Sequence, residues 1–480
     1  MKLSLLISTS LLLINCDPKV ENETKPNNPK YSIEVEGEIE KVLNHLQVAT
    51  EVEGVFESKT LVERMDFYHT PAVSIAVVNN GKIEWARGFG KSDLESNKPT
   101  DTETLFQAGS VSKPIFALTV MKLYEDNLID IDKNINEYLT SWKVPKIKNW
   151  QPKITLRNLL SHTAGLTVHG FPGYLESDSI PTIPQILNGK SPSNTSAVKV
   201  NILPNTNFRY SGGGTIVAQL VMTDVFKESF PTLINENLFK PLHLKNSTYI
   251  QPLPPNMKHK AATAYPYKNQ PVNGRFHIYP EMAAAGLWST PTELATIMIE
   301  IQQGLDGNSD FIKKKTLVEM MERQKMANMI GIGFFINGKD DTARFYHNGW
   351  DEGFITYFMG YKNTGKGIVI MINSNEGEKI VEEITNSVAN VYKWSGFLPK
   401  KNEYVVTNDS IKFDSGDYGD CILKFEDEKL FLLYQNQEPL ELKKTANGIY
   451  KNEFMNFEVK IKNNQLELTQ NGQSKTFDKK

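Results

Sequence analysis

Short runs of β-branched and aromatic residues predict strands near both ends of a large central region. The segments 73–78 and 82–89 flank Asn79-Asn80-Gly81, a tripeptide typical of a tight hairpin. Three more strands are expected at about 343–348, 353–361 and 366–373.

Apolar spacing also predicts helices on either side of these strands. Residues 36–69 have a helical pattern, and 110–126 read as a buried helix because nearly every turn carries apolar side chains. Ile380, Ile384 and Val388 form one stripe of a further helix. The stretch 127–200 is mixed and rich in loops.

The pattern changes after Pro399. Short alternating runs are separated by Asn447-Gly448, Asn463-Asn464 and Asn471-Gly472, which favour turns between antiparallel strands. Residues 401–480 are therefore predicted to form a small all-β domain, a barrel or sandwich, with a packing or capping role. A ligand-binding role for it is the alternative.

Composition narrows the function classes. The chain has 480 residues, 40% hydrophobic and 23% charged, with a net charge of −3, which is ordinary globular usage. There is no basic excess for nucleic acid, so no nucleic-acid partner is expected. Two cysteines exclude a disulfide framework and a four-cysteine zinc site.

The N-terminus resembles an export signal. Lys2 precedes a 12-residue apolar run, too short to span a bilayer, so residues 1–15 are predicted to be a signal peptide. Cys16 follows as in a bacterial lipobox, although Asn15 stands where a small residue is usual. We expect lipidation of Cys16 and membrane attachment through a flexible tether, residues 16–30; cleavage without a lipid is the alternative.

Ser-x-x-Lys occurs twice, and only one copy opens a helix. Ser110-Val-Ser-Lys113 is followed by Pro114, which is tolerated only near a helix start, whereas Ser196-Ala-Val-Lys199 lies in a predicted loop. Ser110 and Lys113 would lie one turn apart, with the positive end of the helix dipole at the serine. Burial favours the neutral form of an amine, so Lys113 could accept the serine proton. From these residues alone, a capping serine beside a solvated lysine explains the pattern equally well.

A broader resemblance favours the catalytic interpretation. Residues 55–395 closely resemble the serine β-lactamase and penicillin-binding-protein-like hydrolases of the class C branch. The motifs that carry it are Thr104-Leu-Phe-Gln-Ala-Gly-Ser-Val-Ser-Lys-Pro114, Leu156-Arg-Asn-Leu-Leu-Ser-His-Thr-Ala-Gly-Leu166, Phe208-Arg-Tyr-Ser-Gly-Gly-Gly214, Pro280-Glu-Met-Ala-Ala-Ala-Gly-Leu-Trp-Ser-Thr-Pro291 and His347-Asn-Gly349 with Asp351-Glu-Gly-Phe354.

The resemblance implies an α+β fold: a five-stranded antiparallel sheet flanked by helices, with a helical insertion, over residues 31–398. It implies that Ser110 is the acylated nucleophile, Lys113 its base and Tyr210 the proton shuttle to the leaving group. The backbone N–H groups of Ser110 and Trp350 would form the oxyanion hole. His347 and Gly349 would occupy the third motif.

Two departures from the family motifs bear on the substrate. Gly212 stands where the second motif usually has Asn, and His347 where β-lactamases have Lys. A histidine is mostly neutral at pH 7 and would bind a substrate carboxylate poorly. Asp351 and Glu352 would repel that carboxylate but suit a substrate with a free amine, if they face the site.

The sequence thus predicts an exported serine hydrolase of the cell envelope, acting on esters, amides or small D-amino-acid peptides. Its chemistry requires no metal or organic cofactor. The alternatives are a β-lactamase or D-Ala-D-Ala carboxypeptidase, a penicillin-binding sensor that is acylated without turnover, and a non-catalytic binding lipoprotein. The oligomeric state is left open.

Overall fold

A computed structural model describes residues 26–46, 50–52, 59–397, 400–402, 415–435, 437–445, 448–452, 457–470 and 473–480. The predicted signal peptide and Cys16 lie outside these residues. The described helices are α1 (Ile33–Asn44), α2 (Leu61–Phe67), α3 (Ser112–Glu125), α4 (Ile135–Tyr138), α5 (Leu156–Leu160), α6 (Ile183–Asn188), α7 (Gly212–Phe226), α8 (Phe230–Ile234), α9 (Pro255–Lys258), α10 (Met282–Ala285), α11 (Pro291–Asp306), α12 (Lys314–Met320) and α13 (Glu378–Val391).

The strands fall into a large central sheet, a C-terminal sheet and two small pairs. They are β1 (Thr50–Val52), β2 (Ala72–Asn79), β3 (Lys82–Asp93), β4 (Lys98–Pro99), β5 (Phe106–Gln107), β6 (Trp288–Ser289), β7 (Phe335–Asn337), β8 (Arg344–Asp351), β9 (Phe354–Tyr361), β10 (Gly367–Ile372), β11 (Lys400–Asn402), β12 (Gly416–Tyr418), β13 (Cys421–Glu426), β14 (Lys429–Tyr434), β15 (Leu440–Lys444), β16 (Ile449–Lys451), β17 (Phe457–Lys462), β18 (Gln465–Gln470) and β19 (Gln473–Asp478).

The central sheet has the strand order β4-β3-β2-β10-β9-β8-β7, with antiparallel pairing throughout. The five predicted strands form its body, and the short strands β4 and β7 extend its two edges to seven. The β2–β3 hairpin turns at Asn80 and Gly81, which both have positive φ, as the sequence predicts. The predicted fold class is confirmed.

Alternation along the strands gives the sheet two buried faces. Ala76 and Val78 of β2 pack with the apolar side chains of α3, α7 and α11. Val73, Ile75 and Val77 of the same strand pack on the other face, against α1, α2 and α13. Helices α3 to α12 lie between β5 and β7 in the chain, which is the expected helical insertion.

The helix predicted across residues 36–69 is wrong in its centre. Helix α1 ends at Asn44, and β1 pairs in parallel with β11, a partner 350 positions along the chain from Thr50 to Lys400. Thr60 then starts α2 through a capping box with Glu63. Helical periodicity does not reveal a strand whose pairing partner is so distant.

The C-terminal residues form an eight-stranded antiparallel meander, β12 to β19 in chain order. The Lys480 N–H donates to the Asp417 carbonyl across 2.8 Å, which joins the chain end to the first strand as in a closed barrel. Its core is built from its own side chains, Leu423, Leu432 and Val459 among them. Burial raises the pKa of the Cys421 thiol to about 11, which leaves it unreactive at neutral pH.

Candidate active site

The motif Ser-Val-Ser-Lys lies at the start of α3, as predicted. Ser110 belongs to a short 3-10 helix, Gly109–Val111, that leads directly into α3. The Lys113 Nζ atom lies 2.8 Å from Ser110 Oγ. The second Ser-x-x-Lys copy lies in a loop, so only the first forms this pair on a helix.

The Lys113 side chain is 4% exposed, and its amine has a second partner, the Ala284 carbonyl at 2.7 Å. A carbonyl oxygen can only accept, so Lys113 must donate one N–H to it. A neutral amine oriented this way keeps its lone pair for the Ser110 hydroxyl proton. Ala284 lies in α10, within the block Pro280–Pro291, so this helix fixes the direction of the lysine amine.

Two glycines let strand β8 approach the 3-10 helix closely. A Cβ on Gly349 would lie 1.9 Å from the Ala108 carbonyl oxygen and 3.2 Å from the Ser110 nitrogen. A Cβ on Gly109 would lie 2.5 Å from the Trp350 nitrogen. Because neither residue carries a side chain, the backbone around Trp350 packs directly against the backbone around Ser110. Two N–H groups in this arrangement could stabilise an oxyanion.

The Tyr210 ring lies next to the lysine, with Lys113 Nζ 5.1 Å from the ring centroid. His162 and His169 flank the ring at centroid distances of 4.3 and 4.8 Å, and Phe335 stacks beyond it. The Ser211 N–H donates to His162 Nδ1 across 3.2 Å, so this ring carries its proton on Nε2. The structure therefore brings Ser110, Lys113 and Tyr210 together.

His347 is buried and its ring lies 6.1 Å from that of Tyr210. Its Nδ1 lies 2.6 Å from the Asn348 carbonyl oxygen, which can only accept, so Nδ1 carries the proton. Burial, with the charge of Lys113 second, lowers the pKa of the imidazole to about 3. The ring is neutral at physiological pH, as expected, and its Nε2 has no hydrogen-bond partner among the described residues.

The acidic residues at the end of β8 differ in their environment. Asp351, the last residue of the strand, is buried, and burial raises the pKa of its carboxyl well above the ordinary value. Glu352 is partly exposed on the next turn position. The acidic corner expected from the sequence is therefore reduced to Glu352.

Gly212 is enclosed by a neighbouring loop. A Cβ there would lie 2.9 Å from the Phe171 ring and 3.0 Å from the His169 carbonyl oxygen. This loop occupies the space that a larger side chain would need at the start of α7. The glycine at this position thus leaves room for the loop that carries His169 and Phe171.

Several residues of the site are not evident from the sequence. Ala284 acts through its backbone carbonyl, which no side-chain pattern reveals. Glu281 is fully buried with both carboxyl oxygens unpartnered, and burial raises its pKa to about 8. The sequence signal that could have revealed Glu281 is its position as a charged residue within the apolar block Pro280–Pro291.

A family model described as Beta-lactamase matches residues 58–393, and the chain belongs to this family of serine hydrolases. It is 24% identical over 353 residues to Protein flp of Staphylococcus aureus (strain N315), covering 70% of this chain and 66% of that protein, slightly under two thirds of its length. It is 25% identical over 295 residues to the teichoic acid D-alanine hydrolase of Staphylococcus aureus, covering 60% of this chain and 68% of that protein.

Among solved structures, the octameric penicillin-binding protein homologue from Pyrococcus abyssi superposes with a TM-score of 0.60 at 18% identity, covering 87% of this chain and 98% of that one. The likeness shows a shared fold. Within the described residues, no helix is long and apolar enough to cross a bilayer.

Proposed function

We propose that this protein is an exported serine hydrolase that forms an acyl-enzyme on Ser110 and cleaves esters, amides or small D-amino-acid peptides. The observation that carries the proposal is the 2.8 Å contact between Lys113 Nζ and Ser110 Oγ. A buried amine with one N–H committed to a carbonyl is well arranged to take the serine proton.

In the proposed reaction, the Ser110 O–H gives its proton to the Lys113 amine while Oγ attacks the substrate carbonyl carbon. The developing oxyanion accepts hydrogen bonds from the Ser110 and Trp350 N–H groups, each contributing about 2.7–4 kcal/mol to transition-state stabilisation. Tyr210 passes a proton to the departing alcohol or amine. Water then attacks the acyl-enzyme, releases the acid and restores the Ser110 hydroxyl.

The charges around the site support an acyl group without a carboxylate. His347 is neutral, and the Lys113 amine is occupied by Ser110 and Ala284, so no free cation among these residues meets a substrate carboxylate. Glu352 adds a negative group beside Trp350. The name of one relative, teichoic acid D-alanine hydrolase, supports a D-alanyl acyl group.

Export is part of the proposal and rests on the sequence. Lipidation of Cys16 would anchor the protein to a membrane through the residues before α1. Mass spectrometry of the N-terminal peptide from the native organism tests this directly. A diacylated Cys16 is expected, and an unmodified N-terminus after residue 15 would leave the hydrolase without its anchor.

The first test is covalent labelling by a fluorophosphonate, which reacts with activated serines. Ser110→Ala should abolish labelling, and Lys113→Met should slow it by about 10²–10⁴-fold because the general base is lost. Ser196→Ala, in the other Ser-x-x-Lys copy, is the matched control and should label normally. Equal labelling of native protein and Ser110→Ala would favour a non-catalytic binding protein.

Intact-mass measurement separates turnover from trapping. With a short acyl ester we expect rapid loss of any adduct, and with a β-lactam slow acylation. A persistent β-lactam adduct would instead identify a penicillin-binding sensor. Faster turnover of a chromogenic cephalosporin than of acyl esters would identify a β-lactamase.

A further inference from the structure

Asn375, which follows β10, forms side-chain hydrogen bonds that stabilise the turn between β8 and β9. Its Oδ1 accepts from the Trp350 indole N–H at 3.0 Å and from the Gly353 N–H at 2.8 Å. Its Nδ2 donates to Glu352 Oε1 at 3.3 Å. One amide therefore fixes the residues on both sides of Asp351.

The backbone of the same turn also forms a hydrogen bond with a buried tyrosine. The Glu352 N–H donates to the Tyr279 hydroxyl across 3.0 Å, and Tyr279 is buried. Only one oxygen of Glu352, Oε1, has a hydrogen-bond partner among the described residues. The second oxygen, on a partly exposed side chain, is available to a ligand.

We propose that Asn375 is a positioning residue that orients Glu352 to bind the ammonium group of an aminoacyl substrate. The proposal rests on the function proposed above. It adds the substrate class, acyl groups with a free amine near the scissile carbonyl, and it assigns the specificity to two residues outside the Ser110, Lys113 and Tyr210 set.

The electrostatics of the site agree with this specificity. His347 is neutral, burial favours the protonated form of Asp351, and Glu352 follows the proposed oxyanion donor Trp350 by two positions. A substrate ammonium would gain a charge-assisted hydrogen bond from Glu352. Trp350 is 54% exposed, and its indole N–H donates to the same Asn375 amide that contacts Glu352.

The experiment compares D-alanyl and propionyl thioesters of one thiol, which differ only in the amine. The native protein should have a higher kcat/KM for the D-alanyl substrate. Glu352→Gln should lower the ratio of the two kcat/KM values by about tenfold, because a charge-assisted contact becomes a neutral one. The change should appear in the KM of the D-alanyl substrate and leave the propionyl substrate within about twofold.

Asn375→Leu keeps the side-chain size but removes every hydrogen bond of the amide, and it should shift the ratio in the same direction. In the Glu352→Gln background it should add little, since the two residues act through one contact. The control Glu376→Gln removes a carboxylate next to Asn375 and should leave the ratio unchanged. Fluorophosphonate labelling of Ser110 verifies that each variant is folded.

Three results would overturn the inference. They are an unchanged ratio in Glu352→Gln, an equal loss for both thioesters in Asn375→Leu, and full additivity of the two substitutions. Failure of the proposed function is a separate outcome, because the native protein would then neither label at Ser110 nor hydrolyse either thioester.

Discussion

Glu281 carries a carboxyl group that is fully enclosed by protein, and neither oxygen has a hydrogen-bond partner among the residues that the structure describes. Burial disfavours the charged form, which raises its pKa from 4.5 to about 8. Asp351 is shifted in the same direction, with the charge of Glu281 among the causes. Burial therefore favours the protonated form of both acids.

This buried acid makes stability depend on pH. Between pH 4.5 and 8 the native state keeps a proton on Glu281 that the unfolded chain loses, so the free energy of unfolding should fall as pH rises. The slope from one such group is at most about 1.4 kcal/mol per pH unit. Glu281→Gln should flatten the decline, as measured by urea unfolding at several pH values.

Glu378→Gln is the matched control, since this carboxylate is exposed at the start of α13. It should leave the pH dependence unchanged. If the free energy of unfolding fell equally with pH in the native protein and in Glu281→Gln, the Glu281 carboxyl would have the same pKa in the folded and unfolded chains.

At the scale of elements, the site depends on how closely β8 approaches the 3-10 helix. The sequence predicted a strand at about 343–348 and, from the proline after Lys113, a helix that starts near Ser110; it did not predict the 3-10 turn before that helix. Their contact distance follows from Gly109 and Gly349, which leave no Cβ between the two backbones. The proposed pair of oxyanion donors, the Ser110 and Trp350 N–H groups, therefore depends on the contact between these two elements.

Gly349→Ala should separate these elements. Its Cβ would overlap the Ala108 carbonyl, so either β8 or the 3-10 helix must shift and one oxyanion donor is displaced. Fluorophosphonate labelling should slow by about 10²–10³-fold.

Gly37→Ala in α1 is the matched control because nothing lies within 4 Å of its Cβ position. It should label normally and gain about 0.5–1 kcal/mol of stability, as glycine is unfavourable inside a helix. Normal labelling of Gly349→Ala would mean that the Trp350 N–H is dispensable.

Across the whole molecule, the apolar side chains divide into separate cores. Two cores cover the faces of the central sheet, and a third belongs to the C-terminal strands alone, from Tyr418 to Phe477. Strand β11, which precedes the third core, pairs with β1 near the N-terminus. Residues up to Asn402 thus contain both cores of the central sheet and every residue of the proposed site.

A chain that ends at Asn402 should therefore fold and label at Ser110 at a rate close to that of the full chain. Circular dichroism and labelling kinetics of the two proteins test this. If the shorter chain aggregates or loses labelling, the C-terminal strands contribute to the core or the site of the hydrolase region.

The sequence by itself determined the five main strands of the central sheet, the helix after Ser110 and the side chains proposed to react. Asn80-Gly81 specifies the first hairpin through positive φ angles, and Pro114 fixes where the helix after Ser110 begins, because both effects are local. The motifs around Ser110, Tyr210 and His347 gave the family for the same reason: each is a short contiguous pattern.

Only the tertiary structure decided which groups surround those side chains. The Ala284 carbonyl on Lys113, the burial of the Asp351 carboxyl and the amide of Asn375 on the β8–β9 turn depend on positions far apart in the chain. Hydrogen bonding and burial at such contacts depend on where distant segments meet, and the local periodicity of the sequence does not predict those meeting points.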